Sequence, residues 1–202
     1  SRVTVGEGPT GHAIISVDPG AENSIVIFPG ANRTLPPPDL TGAVAGDTLL
    51  LQNETSSQAE AAAMGARLGL RVIYSAAPFD LAAVKAVLPH VSLLVMNAGE
   101  ARSLRAAMGD LSGLEMVVTL GADGAEWVGA TPLRVPAFVV DAVDTTGAGD
   151  CFTGMLAAAL DAGLPADAAM RRASAAAALQ VTRHGAAEAM PSAAEVDAFI
   201  DR

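Results

Sequence analysis

Apolar residues along the middle of the chain follow two alternating patterns. Short, nearly continuous apolar runs are followed by longer segments in which apolar residues recur every three or four positions. The first pattern is typical of strands buried on both faces, and the second of helices that cover them. This alternation predicts an α/β fold with a central, mainly parallel sheet flanked by helices. The predicted strands here are residues 48–52, 71–74 and 91–96, and the predicted helices are residues 56–68, 81–87 and 99–108.

The two ends of the chain follow other patterns. Two β-rich runs, residues 12–17 and 24–28, flank a turn-rich linker and predict a hairpin. Three consecutive prolines at residues 36–38 interrupt the chain after this hairpin. We therefore divide the chain into a partial β lid, residues 1–35, and an α/β core that contains residues 36–202. Later in the core, residues 116–119, 124–128 and 133–140 are predicted strands, and residues 148–162, 166–180 and 193–200 are predicted helices.

Composition narrows the classes of partner. The chain has 12 basic and 22 acidic residues, a net charge of −10 and no cluster of Lys and Arg, which argues against nucleic acid and anionic membranes. Lys85 is its one lysine, so phosphate recognition must rely on backbone amides, arginine or a metal. The single cysteine, Cys151, excludes an internal disulfide and is typical of a cytoplasmic protein. Apolar runs are interrupted by charge or dominated by alanine, and none predicts a membrane span.

The segment whose residues are best suited to catalysis runs from Asp144 to Asp150, where two carboxylates flank a turn of small residues. Gly147, Ala148 and Gly149 lead directly into a predicted helix, so their N–H groups lie at the positive end of its dipole without large side chains over them. Such a turn is suited to an anion. Asp150, in the first helical turn, is placed to take a proton from a hydroxyl that attacks phosphorus. The alternative for a bare glycine turn is an Asp that only caps the helix.

The segment VDTTGAGDCFTGM, residues 143–155, resembles the C-terminal signature of the ribokinase family of sugar kinases. Residues 20–32 resemble the lid hairpin of ribokinases, and four further segments fall in the family's order: residues 49–54, 97–100, 118–124 and 181–186. The resemblance covers essentially the whole chain. It implies a ribokinase-like fold and transfer of phosphate from ATP to a primary hydroxyl, with D-ribose the first choice of substrate.

One family feature has no counterpart in the chain. The family begins with a sugar-binding segment that includes a Gly-Gly-Lys-type turn, and nothing in residues 1–11 resembles it. We therefore expect a fragment, an incompletely reported sequence or a truncated gene product. A catalytically silent nucleotide-binding module is accordingly an alternative to an active kinase, as is a kinase of fructose, a nucleoside or a keto-sugar acid.

The resemblance also implies roles for single residues. Asp150 would be the catalytic base and would contact the substrate, Gly147, Ala148 and Gly149 would bind the transferred phosphoryl group, and Glu54 would lie near the sugar. Asn97 and Glu100 would lie near the nucleotide phosphates and Mg²⁺, although their spacing equally fits a helix capping box. The nucleotide would contact Thr119, Gly121, Ala122, Asp123, Gly124 and Ser174, the last of these at the adenine. The alternatives are a β-turn for residues 121–124, a packing role for Ser174 and a solvated carboxylate for Glu54.

A potassium site is implied by the same resemblance. Its ligands would be the carboxylate of Asp144 and the carbonyls of Thr146, Gln180, Arg183 and Gly185. Ala189 stands where the family commonly has a serine, which removes one side-chain oxygen and leaves the potassium affinity open. We also expect a homodimer formed through the lid, because an isolated two-stranded ribbon is marginally stable unless something covers its apolar face.

Overall fold

The N-terminal part of the protein forms a two-stranded hairpin. The computed structural model describes residues 7–17 and 23–201, so the linker predicted at residues 18–23, including Glu22, lies outside the described residues except for Asn23. Strand β1 (His12–Val17) pairs antiparallel with β2 (Asn23–Phe28), with His12 opposite Phe28. The rings of these two residues lie 5.1 Å apart. The hairpin predicted at this end of the chain is therefore confirmed.

A six-stranded sheet forms the centre of the core. Its strands, in their order across the sheet, are β3 (Thr48–Gln52), β4 (Arg71–Ser75), β5 (Leu93–Asn97), β6 (Met116–Thr119), β7 (Ala125–Val128) and β8 (Leu133–Val135). The first four strands are parallel, and the last two are antiparallel to their neighbours. This confirms the predicted sheet, in which the parallel strands place their carboxyl ends along one edge.

Helices cover both faces of the sheet, and the sheet separates two hydrophobic cores. The helices are α1 (Gln58–Arg67), α2 (Leu81–Val87), α3 (Ala98–Met108), α4 (Ala148–Asp161), α5 (Ala166–Gln180) and α6 (Ala193–Ile200). Along β4, Ile73 belongs to the core under α4 and α5, whereas its neighbours Val72 and Tyr74 belong to the core under α1, α2 and α3. This alternation follows from the period of two in a strand.

Alanine supplies much of the packing between α4 and α5. Ala169, Ala173 and Ala176 on α5 are completely buried, and such small side chains allow two helices to approach closely. This packing fixes the start of α4 relative to the end of α5, and both termini belong to the candidate site. Among the described residues, no helix is long and apolar enough to cross a membrane.

Some predicted boundaries differ from the structure. The strand predicted at residues 133–140 ends at Val135, because Pro136 has no N–H to continue the ladder. The strand predicted from residue 91 begins at Leu93. Residues Leu88–His90 form a short 3₁₀ helix, and the N–H of Val91 donates to the carbonyl of Leu88 at the end of this helix. The other elements agree to within two residues at each end. The division of the chain at residue 35 stays a prediction.

Candidate active site

The turn before α4 is open to solvent on one side. Gly147 has a positive φ of 75° and caps the helix, which begins at Ala148. An added Cβ at Gly149 would meet no heavy atom within 4 Å outside its own chain neighbours and helix backbone. Packed side chains therefore do not fill the space beside this part of the turn. Asp150 is exposed in the first turn of α4.

Asp150 is held by a residue to which sequence reasoning gave no role. The side-chain amide of Gln52, the last residue of β3, donates a hydrogen bond to Oδ1 of Asp150 over 2.9 Å. This contact places the carboxylate at the carboxyl edge of the parallel sheet, where ligands bind in open α/β folds. Two features of the sequence point to Gln52: it ends a predicted buried strand, and it lies within residues 49–54, which resemble the ribokinase family.

Glu54 follows β3 by two residues and lines a cleft of about 210 Å³ at the base of the lid. Gly11, His12, Phe28 and Asn32 contribute to the same cleft. The carboxylate is exposed, so the cleft offers it to a polar ligand that enters from solvent.

Hydrogen bonds to main-chain carbonyls hold the base of the lid against the core. The N–H of Ser56 donates to the carbonyl of Asn32 over 2.8 Å. The hydroxyls of Ser56 and Ser57 both donate to the carbonyl of Leu35, each over 2.8 Å.

A Cβ at Gly30, where φ is 48°, would lie 2.4 Å from the carbonyl oxygen of Pro9. The glycine therefore permits a close approach that a larger residue would block.

Asn97 and Glu100 form the capping box that was one of their two predicted roles. Oδ1 of Asn97 accepts from the N–H of Glu100 over 2.9 Å, and Oε2 of Glu100 accepts from the N–H of Asn97 over 2.8 Å. Asn97 pairs with Thr119 across β5 and β6, so three predicted nucleotide residues meet at one edge of the sheet. The box fixes both side chains at this edge and uses one oxygen of the Glu100 carboxylate.

The remaining predicted nucleotide residues divide into two groups. Gly121, Ala122 and Asp123 form an exposed 3₁₀ turn directly after β6. Gly124 is buried, and a Cβ there would lie 2.1 Å from the carbonyl oxygen of Val135. Ser174 on α5 is 7% exposed. The first group is accessible to a ligand, whereas Gly124 and Ser174 pack inside the protein and their ligand roles stay predictions.

Asp144 links the segment before α4 to the segment after α5. Its Oδ1 accepts from the N–H of Thr146 over 2.9 Å and its Oδ2 from the N–H of Gly185 over 3.0 Å. Hydrogen bonds from the Thr146 hydroxyl and from these two backbone groups lower the pKa of the Asp144 carboxyl to about 2. The N–H of Asp144 also donates to the carbonyl of Val181 over 3.1 Å. The two segments therefore form one unit behind the open turn.

Gln180 completes this unit with its side chain. The residue is completely buried, and its Nε2 lies 3.1 Å from the carbonyl oxygen of Thr146, 3.2 Å from that of Gly185 and 2.9 Å from that of Ala186. The resemblance to the family implies a role only for the main-chain carbonyl of Gln180.

Arg183 was predicted to contribute its main-chain carbonyl to the cation site, and its side chain makes separate contacts. The guanidinium of Arg183 pairs with Glu195 at 2.6 Å and donates to the carbonyl of Ala189 over 3.4 Å. Ala189 is 2% exposed. Over residues 7–17 and 23–201, no three His, Cys, Asp or Glu side chains cluster in a way that could hold a metal ion.

The chain matches one protein family over most of its length, and it resembles individual proteins in sequence and in structure. A family model described as pfkB family carbohydrate kinase matches residues 1–193. The chain is 33% identical over 219 residues to a ribokinase of Haemophilus influenzae, covering 98% of this chain and 71% of that protein. It is 32% identical over 212 residues to a deoxyribokinase of Salmonella typhimurium, covering 95% and 69% of the two chains. A solved structure of Arabidopsis thaliana ribokinase, complexed with ribose and ATP, superposes with a TM-score of 0.80 at 26% identity, over 97% of this chain and 70% of that one.

Proposed function

Because the chain belongs to the pfkB family of carbohydrate kinases, we propose that it phosphorylates a primary hydroxyl of a small sugar from ATP, with D-ribose the first candidate and D-ribose 5-phosphate its product. The similarity to ribokinases, one of them solved with ribose and ATP, supports this choice. Asp150 carries the proposal, since its exposed carboxylate lies beside an open, helix-capping turn at the carboxyl edge of the sheet.

Asp150 acts as the general base in this proposal. Gln52 holds Oδ1, which leaves Oδ2 to accept the proton of the acceptor hydroxyl. The deprotonated oxygen then forms a bond to the γ-phosphorus as the bond from that phosphorus to the leaving oxygen of ADP breaks. A correctly placed base contributes about 10²–10⁴-fold to such a rate.

The turn before α4 stabilises the charge on the transferred group. The N–H groups of Gly147, Ala148 and Gly149 lie at the start of a fourteen-residue helix, so the helix dipole adds to their effect. The N–H of Ala148 donates to the carbonyl of Thr145 over 3.2 Å, so Gly147 and Gly149 are the first candidates for donors to the phosphoryl oxygens. One such donor is worth about 3 kcal/mol in the transition state. The space beside Gly149 is open, since an added Cβ there would meet no heavy atom within 4 Å outside the local helix.

The nucleotide binds along the ends of β5 and β6 in this proposal. Thr119 and the exposed turn of Gly121, Ala122 and Asp123 contact ATP. Mg²⁺, which prefers to keep several waters, fits the remaining oxygen of the Glu100 carboxylate through water, with Asn97 beside it. When bound, the ion would neutralise charge on the β- and γ-phosphates.

The cleft at the base of the lid takes the sugar. Glu54 supplies a carboxylate acceptor for sugar hydroxyls, and His12 and Asn32 supply further polar groups in the same cleft.

Exposed apolar side chains on the hairpin, including Ile14 and Val26, support a homodimer in which a second copy covers the lid.

Deoxyribose is the second candidate acceptor, because a deoxyribokinase matches the chain at 32% identity, nearly as well as the ribokinase. The two sugars differ by one hydroxyl. A site that hydrogen-bonds this hydroxyl would prefer ribose strongly, whereas a site that leaves it in solvent would accept both.

A coupled assay of ADP release with a panel of sugars tests the proposed function. We expect sugar-dependent turnover that is fastest with ribose or deoxyribose. Asp150→Asn should lower kcat by about 10²–10⁴-fold, the range for loss of a general base, and leave the Kd for ATP nearly unchanged. Unchanged turnover in this variant would exclude Asp150 as the base. ATP binding without turnover on any sugar would favour a silent nucleotide-binding module.

A further inference from the structure

Three carbonyl oxygens converge on one side-chain nitrogen behind the open turn. Nε2 of Gln180 lies within 3.2 Å of the carbonyl oxygens of Thr146, Gly185 and Ala186. An amide nitrogen carries only two hydrogens, so three acceptors share two donors. If the amide were turned around, Oε1 would face the three carbonyl oxygens, which would repel it. The nitrogen is therefore the atom that faces the three carbonyls.

Two of these oxygens belong to the potassium shell that the family resemblance implies. The carbonyls of Thr146 and Gly185 were both expected as ligands, and both now accept hydrogen bonds from Gln180. Ala189 supplies no side-chain oxygen. The carboxylate of Asp144 accepts two backbone N–H groups. The residues present therefore do not fit a monovalent cation held by these oxygens.

We propose that the side-chain amide of Gln180 replaces the monovalent cation, so that the turn before α4 assembles without potassium. A cation at such a place draws together carbonyl dipoles that otherwise repel one another. The N–H groups of Gln180 have the same effect, because they are the positive end of the amide dipole and are fixed to the chain.

The charge of the site is consistent with this replacement. The amide is neutral, so it leaves the negative charge of Asp144 uncompensated by any ion. That charge is instead stabilised by the N–H groups of Thr146 and Gly185. Neither Asp144 nor the carbonyls therefore require a bound cation in this arrangement.

Gln180 is accordingly a positioning residue for the proposed active site. It holds the carbonyl of Thr146, the residue directly before Gly147. A Cβ on Gly147 would lie 3.4 Å from Nε2 of Gln180, so the amide packs against the capping residue of α4. The catalytic consequence of this inference rests on the proposed function, whereas its predicted effect on stability does not.

A competing arrangement would use the same residue in the opposite way. Oε1 of Gln180 is buried and has no hydrogen-bond partner among the described residues. If the side chain rotated, this oxygen would ligate a cation and supply the side-chain oxygen that Ala189 lacks. Potassium would then stabilise the native protein, and removal of Gln180 would abolish that effect.

Thermal melting in potassium, sodium and choline chloride at equal ionic strength separates the two arrangements. We expect the Tm of the native protein to be the same in all three salts. Gln180→Ala should melt at a lower temperature in choline and recover specifically in potassium. Gln180→Glu directs a carboxylate oxygen at the three carbonyls and should show the largest recovery.

Gln58→Ala is the matched control, because Gln58 is also a buried glutamine whose Nε2 donates to a carbonyl, that of Thr55, over 2.7 Å. This variant should lose Tm equally in the three salts. A native Tm raised by potassium, or Gln180 variants with no response to potassium, would overturn the proposal. The melting result stands whether or not sugar phosphorylation is found. In an active protein, kcat should follow the same salt pattern.

Discussion

Gln52 and Asp150 share a hydrogen bond of 2.9 Å although 98 residues separate them in the sequence. The donor ends β3, and the acceptor lies in the first turn of α4. The contact orients a carboxylate that would otherwise rotate freely in solvent. It therefore links the sheet, which forms the floor of the site, to the helix that carries the proposed base.

Replacement of Gln52 by alanine should lower kcat about tenfold or more and leave the Kd for ATP unchanged. A hydrogen bond to a charged group is worth about 1.5–3 kcal/mol, and here that energy fixes the direction of the Asp150 carboxylate. Steady-state kinetics combined with nucleotide titration measures both quantities. Adding the substitution to Asp150→Asn should cause little further loss, since the two residues act together. Equal losses in the two backgrounds would show that Gln52 acts independently of Asp150.

Alanine at Gly149 and at Gly154 forms a matched pair on one helix. An added Cβ meets no heavy atom within 4 Å at either position, outside the local helix, and alanine favours a helix by up to about 1 kcal/mol. We expect both variants to melt at or above the native Tm. Only Gly149→Ala should lose sugar phosphorylation, because its methyl group enters the space proposed for the phosphoryl group. Comparable activity in the two variants would place that group elsewhere.

Local signals in the sequence were sufficient to predict much of the fold. Residues 48–52, 81–87 and 166–180 form the elements expected of them, with the expected bounds. Their apolar runs are bounded by turn or capping residues, such as Asp80, whose side chain caps α2. The small-residue turn before α4 was predicted for the same reason, since its glycines and its helix are adjacent in the chain.

Contacts between distant residues could not be predicted in this way. Gln52 and Gln180 are uncharged, and the resemblance to the family implies no role for either side chain. Their roles arise only where separate segments meet, as when Gln180 reaches the carbonyl of Thr146, 34 residues away. Asn97 and Glu100 show another limit, because the same spacing that suits a ligand site also forms the observed capping box.

A charge on the lid should disrupt the proposed homodimer. Val26 is 65% exposed and pairs with Ile14, which is 62% exposed, so together they form an apolar surface. Val26→Asp introduces a charge that would have to be desolvated in an interface, and we expect a monomer by size-exclusion chromatography with light scattering. Val139→Asp is the control, since Val139 is fully exposed outside the lid and should leave the dimer intact. A native protein that is already a monomer would contradict the prediction.

Asp144 should contribute to stability at neutral pH and lose this contribution in acid. Its pKa falls from 3.8 to about 2 in the folded protein, mainly through hydrogen bonds from Thr146 and Gly185. The contribution is complete above the unfolded pKa and disappears as the pH falls through the folded one. Asp144→Asn should therefore melt below the native protein at neutral pH, and the difference should narrow toward about pH 2. Asp141→Asn, at an exposed carboxylate nearby, should match the native Tm. A difference between native protein and Asp144→Asn that does not vary with pH would show that the carboxylate charge is not the stabilising feature.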